Sequence, residues 1–141
     1  SEMIMKIEWV SYFFFFMAAL IHIYIFILET FLFQRADGYK AFRMKKEDHE
    51  AAKPWALNQG VYNLFLAVGM LIGLYYVNQL EIKVACVMVS FSGFCMIAAG
   101  LVLFATNKKM RKGAYIQMIP PLLGFFFLVF HVMEKIKAAG H

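Results

Sequence analysis

The side chains best suited to bind a ligand or move a proton are His22, Glu29, Asn58, Gln59, Tyr62, Asn63 and Gln117. All lie in or at the edge of long apolar runs, where an unpaired amide, phenol or carboxylate is costly. At 100° per residue, Asn58, Gln59, Tyr62, Asn63, Leu66, Gly69, Met70 and Gly73 fall within about 140° of arc, so the polar groups share a helical face. A segment that served only as an anchor would carry leucine there. The pattern is expected to form one wall of an internal site.

His22 and Glu29, seven residues apart, also share a face. A carboxyl group at that depth is expected to be paired, hydrogen-bonded or protonated, and fits a general acid or base or a ligand contact. The plainer reading is a polar group snorkelling at a helix end, or one satisfied by neighbouring amides. His22 fits a proton shuttle or a ligand contact, or a buried imidazole donating to a backbone carbonyl. Asn58, Gln59 and Asn63 fit a ligand wall, or interhelical hydrogen bonds that serve only assembly.

The elements that must position these residues follow from the apolar runs. The chain has 141 residues, 62% hydrophobic and 16% charged, with the charges clustered. A soluble domain carries about 25% charged residues. Four runs are long enough to cross a bilayer as helices, at about residues 9–33, 57–76, 82–105 and 114–133. The first is too long and too aromatic for a secretory signal, and Ser1-Glu2 before Met3 reads as a vector remnant. The polar stretch between helices one and two, 34–56, holds an Asp37-Gly38 turn and a segment, 39–52, that fits a short surface helix. Pro54 fits the opening of helix two, and Pro120-Pro121 is expected to kink or break helix four. The fold expected is all-α: a single domain over 3–141, a four-helix transmembrane bundle with a polar cytoplasmic loop between helices 1 and 2.

Ten of the 14 Lys and Arg residues lie in the two loops 34–56 and 106–113. This excess places both loops in the cytoplasm and both termini outside, in a multi-pass protein of the cell membrane. The net charge of +5 therefore speaks for anionic lipid head groups and not for nucleic acid. With each span centred in the bilayer, helical rise puts Glu29, Asn58, Gln59 and Gln117 about 10–12 Å toward the cytoplasm, Tyr62 and Asn63 about 5–6 Å, and His22 near the centre. Three helices thus bring polar groups to one level of the cytoplasmic leaflet.

No metal site is expected, because His131 and His22 differ in depth by about 10 Å while metal ligands must come within about 2 Å of one ion. Nor does any nucleotide loop, serine nucleophile elbow or haem-attachment motif occur, and no cofactor is implied. Cys86 and Cys95 lie nine residues apart on opposite faces of one helix and read as packing residues.

His22 with Glu29, then Lys53-Pro54, Asn58-Gln59-Gly60 and Tyr62-Asn63, followed by Gln117 and Pro120, resembles the small membrane proteins grouped as domain of unknown function 1304. The resemblance runs from the first helix to the fourth. It implies a four-helix membrane protein of about this length and brings no reaction or substrate.

The function expected is an intramembrane polar pocket, opening toward the cytoplasmic leaflet between helices one, two and four, for a lipid-soluble small molecule. Glu29 would supply any acid–base chemistry, with His22 as its candidate partner, and Asn58, Gln59, Tyr62, Asn63 and Gln117 would bind the polar end. One alternative is a proton-coupled exporter of small cationic compounds, working as a homodimer. The other is a structural or partner-binding membrane subunit.

Overall fold

The computed structural model describes residues 2–140; Ser1 of the expected remnant and His141 of the expected polar tail lie outside them. Four long helices carry the fold. α1 runs Glu2–Ile27 and passes directly into a π-helical turn, Leu28–Leu32. α2 is His49–Asn78, α3 is Ile82–Thr106 and α4 is Arg111–Ala139. Each lies in a segment long and apolar enough to cross a membrane, 25 to 33 residues in length. About 20 residues suffice to cross the hydrocarbon, so the ends project beyond it.

The helices close into a ring: α1 packs on α2 and α4, α3 packs on α2 and α4, and α1 and α3 lie diagonally. Short connections at Gln79–Glu81 and Asn107–Met110 make α2/α3 and α3/α4 antiparallel hairpins. One end of the bundle, here the loop end, carries the two basic connections. The terminal end carries both chain termini and the short α2–α3 turn.

The interior is built of small and polar residues, with bulk kept outside. Ala18, Ala19 and Ala67 are fully buried beside Phe15, Met70 and Met96, whereas Phe13, Phe31, Phe65, Phe91, Phe94 and Phe126 face outward. Apolar residues on every side are what a bilayer requires, since lipid gives helices no hydrophobic reason to associate and close packing must hold them. Gly69 and Gly73 of α2 serve that packing: a Cβ on Gly73 would stand 2.6 Å from Val89 of α3, and one on Gly69 would stand 2.5 Å from the Ser92 hydroxyl. The α1–α4 seam uses Gly124, which lies against the Phe15 ring and whose carbonyl accepts a 2.9 Å hydrogen bond from the Ser11 hydroxyl.

The helices extend further than the apolar runs indicate. α1 begins at Glu2 and α2 at His49, so Pro54 lies in the second turn of α2 and not at its opening. That position leaves the Glu50 carbonyl without its helical donor on an exposed stretch, where water can replace it. α4 runs unbroken through Pro120 and Pro121, the setting in which membrane helices tolerate proline. No surface helix forms over 39–52. The segment contains two 3-10 turns, Gly38–Lys40 and Lys46–Asp48, and Arg43 between them takes a left-handed φ of 51°, which stops a helix.

Candidate functional site

At the loop end, α1 and α2 meet through polar groups. The π turn closes with the Phe33 amide donating to the Leu28 carbonyl at 2.7 Å, and Glu29 and Thr30 lie within it. Such turns widen a helix locally and are frequent at functional positions. Glu29 is 5% exposed and its Oε1 accepts from Asn63 Nδ2 of α2 at 2.7 Å. The same Asn63 amide reaches the Gln59 carbonyl at 3.1 Å, so one side chain ties the carboxyl group to the α2 backbone.

Gly60 makes this approach possible. A Cβ there would run into the Thr30 hydroxyl and come within 3.2 Å of Glu29 Cβ and 3.3 Å of the Phe26 carbonyl. The Thr30 hydroxyl is itself buried without a hydrogen-bond partner. Gln34 completes the joint, its Nε2 donating to the Lys53 carbonyl at 3.1 Å and toward the Glu29 carbonyl at 3.4 Å.

A second clasp lies beneath it. His49 is 3% exposed and its Nε2–H donates to the Phe33 carbonyl at 2.6 Å, covering a carbonyl that the helix end leaves free. The rings of Phe42 and His49 pack edge-on against Phe33, and Tyr39 packs against His49. The polar connection is therefore a folded cap. A cleft of about 450 Å³ runs between this cap and the α3–α4 connection, with Arg43, Lys45, Lys108 and Lys109 along it.

Of the residues expected to converge, Glu29 and Asn63 do so directly, and their contact is packed solid. His22 is wholly buried, and its Nδ1–H donates to the Ala18 carbonyl of its own helix at 2.8 Å while Nε2 has no partner. Gln117 is buried on the α3–α4 seam and donates to the Met96 carbonyl at 3.4 Å. Asn58, Gln59 and Tyr62 stand on the outside of α2. The reason is geometric. Asn58 and Tyr62 precede Gly69 and Gly73 by eleven residues and so point within about 20° of them. The glycines press on α3, yet the same direction is uncovered at the loop end. Asn58 and Tyr62 stay exposed at that level.

Thr30, Gln34 and His49 were not singled out from the sequence, and Gly60 was named only within the stretch that carries the family resemblance. Gly60 had a cue, a residue without a side chain inside the polar stretch. The π turn had none, because it is a backbone register change.

No three His, Cys, Asp or Glu side chains among the described residues gather as a metal site would need. His131 is committed elsewhere, donating through Nδ1–H to the Ile4 carbonyl at 3.0 Å.

At the terminal end the helices form a half-open cavity of about 440 Å³. Phe15, Ala85, Cys86, Val89, Leu128 and Val132 are among its apolar walls, and Glu8, Tyr12, His131 and Lys135 are its polar members.

The family model described as protein of unknown function (DUF1304) matches residues 16–129. The chain belongs to the DUF1304 family. The match takes in the whole Glu29–Asn63 joint and Gln117, as the residue pattern led one to expect. No curated protein and no solved structure matches the chain. Four helices of this DUF1304 protein are long and apolar enough to cross a bilayer, which suggests a multi-pass membrane protein.

Proposed function

We propose that this DUF1304 protein binds a lipid-soluble small molecule at the loop end of α1 and α2, within the leaflet that adjoins the basic loops. The observation that carries this reading is the buried Glu29–Asn63 hydrogen bond at 2.7 Å, beside amide and phenol groups of the same helix that face out of the bundle. Among the described residues the side chains of Asn58 and Gln59 have no acceptor, and amides at the hydrocarbon edge favour a polar partner. The polar end of the molecule would meet Asn58, Gln59 and Tyr62, and its apolar part would lie along α2 near Phe65. Ligand entry between α1 and α2 would expose Glu29 as the acid–base group. Gln117, on the opposite seam, would act only indirectly, and His22 from one level deeper.

The cation asymmetry orients this end toward the cytoplasm, with both termini outside. The cleft shared by the two basic connections supports that orientation, since it gathers cations of separate loops at one surface.

The test is mass spectrometry of small molecules that co-purify in polymer-bounded native membrane discs. One species should be enriched with the wild-type protein and lost from Asn58→Leu/Gln59→Met, while Glu29→Gln changes its retention without loss of the folded protein. Identical profiles for all three would overturn the reading. The outward position of the unpaired amides favours a second reading, a partner-binding subunit in which a second copy covers α2. Carboxamides pair with each other, so the same double variant would then dissociate a cross-linkable dimer. A proton-coupled exporter, in contrast, would show substrate uptake driven by a pH gradient in proteoliposomes and abolished by Glu29→Gln.

A further inference from the structure

The terminal-end cavity is distinct from the joint at Glu29 and has its own chemistry. Its volume of about 440 Å³ falls in the range of about 300–1,000 Å³ that suits a small ligand. The walls come from α1, α3 and α4, with Val77 of α2 at the edge. The sequence explains the space. α3 and α4 are tied at the loop end, and toward their free ends Ala85, Cys86 and Ala139 leave room that larger side chains would fill.

The polar members all lie on the side of the termini. Glu8 is engaged, its Oε1 accepting the Tyr12 hydroxyl at 2.6 Å. His131 is 5% exposed and spends Nδ1–H on Ile4. Lys135, which lines the same cavity, has no ion-pair partner among the described residues, while its neighbour Lys137 pairs with Glu134. An apolar chamber with a free ammonium group at its polar side suits an apolar chain that ends in an acid. Glu8, Tyr12, His131 and Lys135 all lie outside residues 16–129, whereas the apolar walls Ala85, Cys86, Val89 and Leu128 lie within them, so only the polar members stand apart from the family match.

We propose that this cavity binds a single-chain amphiphile with an anionic end, the chain lying between α1, α3 and α4 and the acid meeting Lys135. A volume of about 440 Å³ suits a single chain. The proposal stands independently of the reading centred on Glu29.

Cys86 is exposed and lines the cavity, so it reports occupancy directly. The experiment uses the full chain in lipid nanodiscs, with Cys95→Ser as background, and follows maleimide modification of Cys86. Laurate is the probe; dodecanol and dodecylamine are the controls. At about ten times its Kd, laurate should slow the modification about tenfold, as the unliganded fraction falls. Dodecanol should protect less and dodecylamine least. Lys135→Gln should bring laurate down to the level of dodecanol, and Ala139→Phe, at the exposed rim, should remove protection by filling the space. Ala85→Phe is the deeper variant, and Ala139→Phe decides the matter if that one fails to fold. Asn58→Leu/Gln59→Met should leave the protection unchanged. Absence of laurate protection in the wild type, or equal protection in Ala139→Phe, would overturn the proposal. Protection lost only in the Asn58/Gln59 variant would overturn it as well.

Discussion

Glu29 and Asn63 are linked by a single hydrogen bond, and the two residues should differ sharply in what they tolerate. Glu29→Gln keeps an acceptor for Asn63 Nδ2. Asn63→Leu removes the only side-chain donor to the carboxyl group among the described residues and leaves it without compensation. Interhelical hydrogen bonds in membrane proteins contribute about 0.6 kcal/mol on average and up to about 1.7. Asn63→Leu should therefore lower stability by about 1–2 kcal/mol in a reversible denaturation titration in mixed micelles, with Glu29→Gln well below it. The reverse ranking would mean that charge, and not the hydrogen bond, holds the joint. Gly60→Ala should cost about 1–3 kcal/mol through overpacking against Thr30 and Glu29. Thr30→Ala removes both the obstructing hydroxyl and an unpartnered buried polar group, so it should be neutral or stabilising alone and should restore part of the Gly60→Ala loss. Additive effects in that double-mutant cycle would separate the two residues and refute the contact.

At the scale of elements, the connection between α1 and α2 works as a cap. His49 holds the end of α1 through the Phe33 carbonyl, and the Phe42 and Tyr39 rings close around it. His49→Ala should free that carbonyl at a cost of about 1 kcal/mol. Hydrogen exchange should then rise across 33–48 and remain unchanged in α3. Protection that is unaltered in 33–48 would mean that the rings alone hold the cap. The π turn shows why helix type was only partly legible. The apolar run 9–33 reads as one continuous helix, and it is one. What converts its last turn from i→i+4 to i→i+5 bonding is the demand of packing against Gly60, which lies some thirty residues away in sequence. The cap had a comparable fate: its mixed composition fits a surface helix, but Arg43 in a left-handed conformation and the seating of His49 divert it.

For the whole molecule, the expected arrangement is termini outside and basic loops inside. In a Cys86→Ser/Cys95→Ser background, a membrane-impermeant maleimide should label Ala138→Cys in intact cells and reach Asn107→Cys only after permeabilisation. Labelling in the opposite order would invert the orientation and move the terminal-end cavity to the other leaflet. The bundle would be unaffected, since it rests on glycine seams that are indifferent to orientation.

Four long apolar helices, the basic loops between them, the family and the polar character of Glu29 and the 58–63 stretch were all legible in the residues. Each depends on local properties: run length, charge clustering, and the rarity of a carboxylate or carboxamide in an apolar segment. The grouping of the polar residues was not. Helical periodicity places Asn58, Gln59, Tyr62 and Asn63 on one face of α2, but a face has neighbours only where another helix covers it. α1 covers Asn63, while Asn58 and Tyr62 stay exposed, and Gln117 is taken up by the opposite seam. The cavity at the terminal end was invisible for the same reason. It is bounded by residues from the two ends of the chain and both partners of a hairpin, and only the ring of four helices brings those walls together.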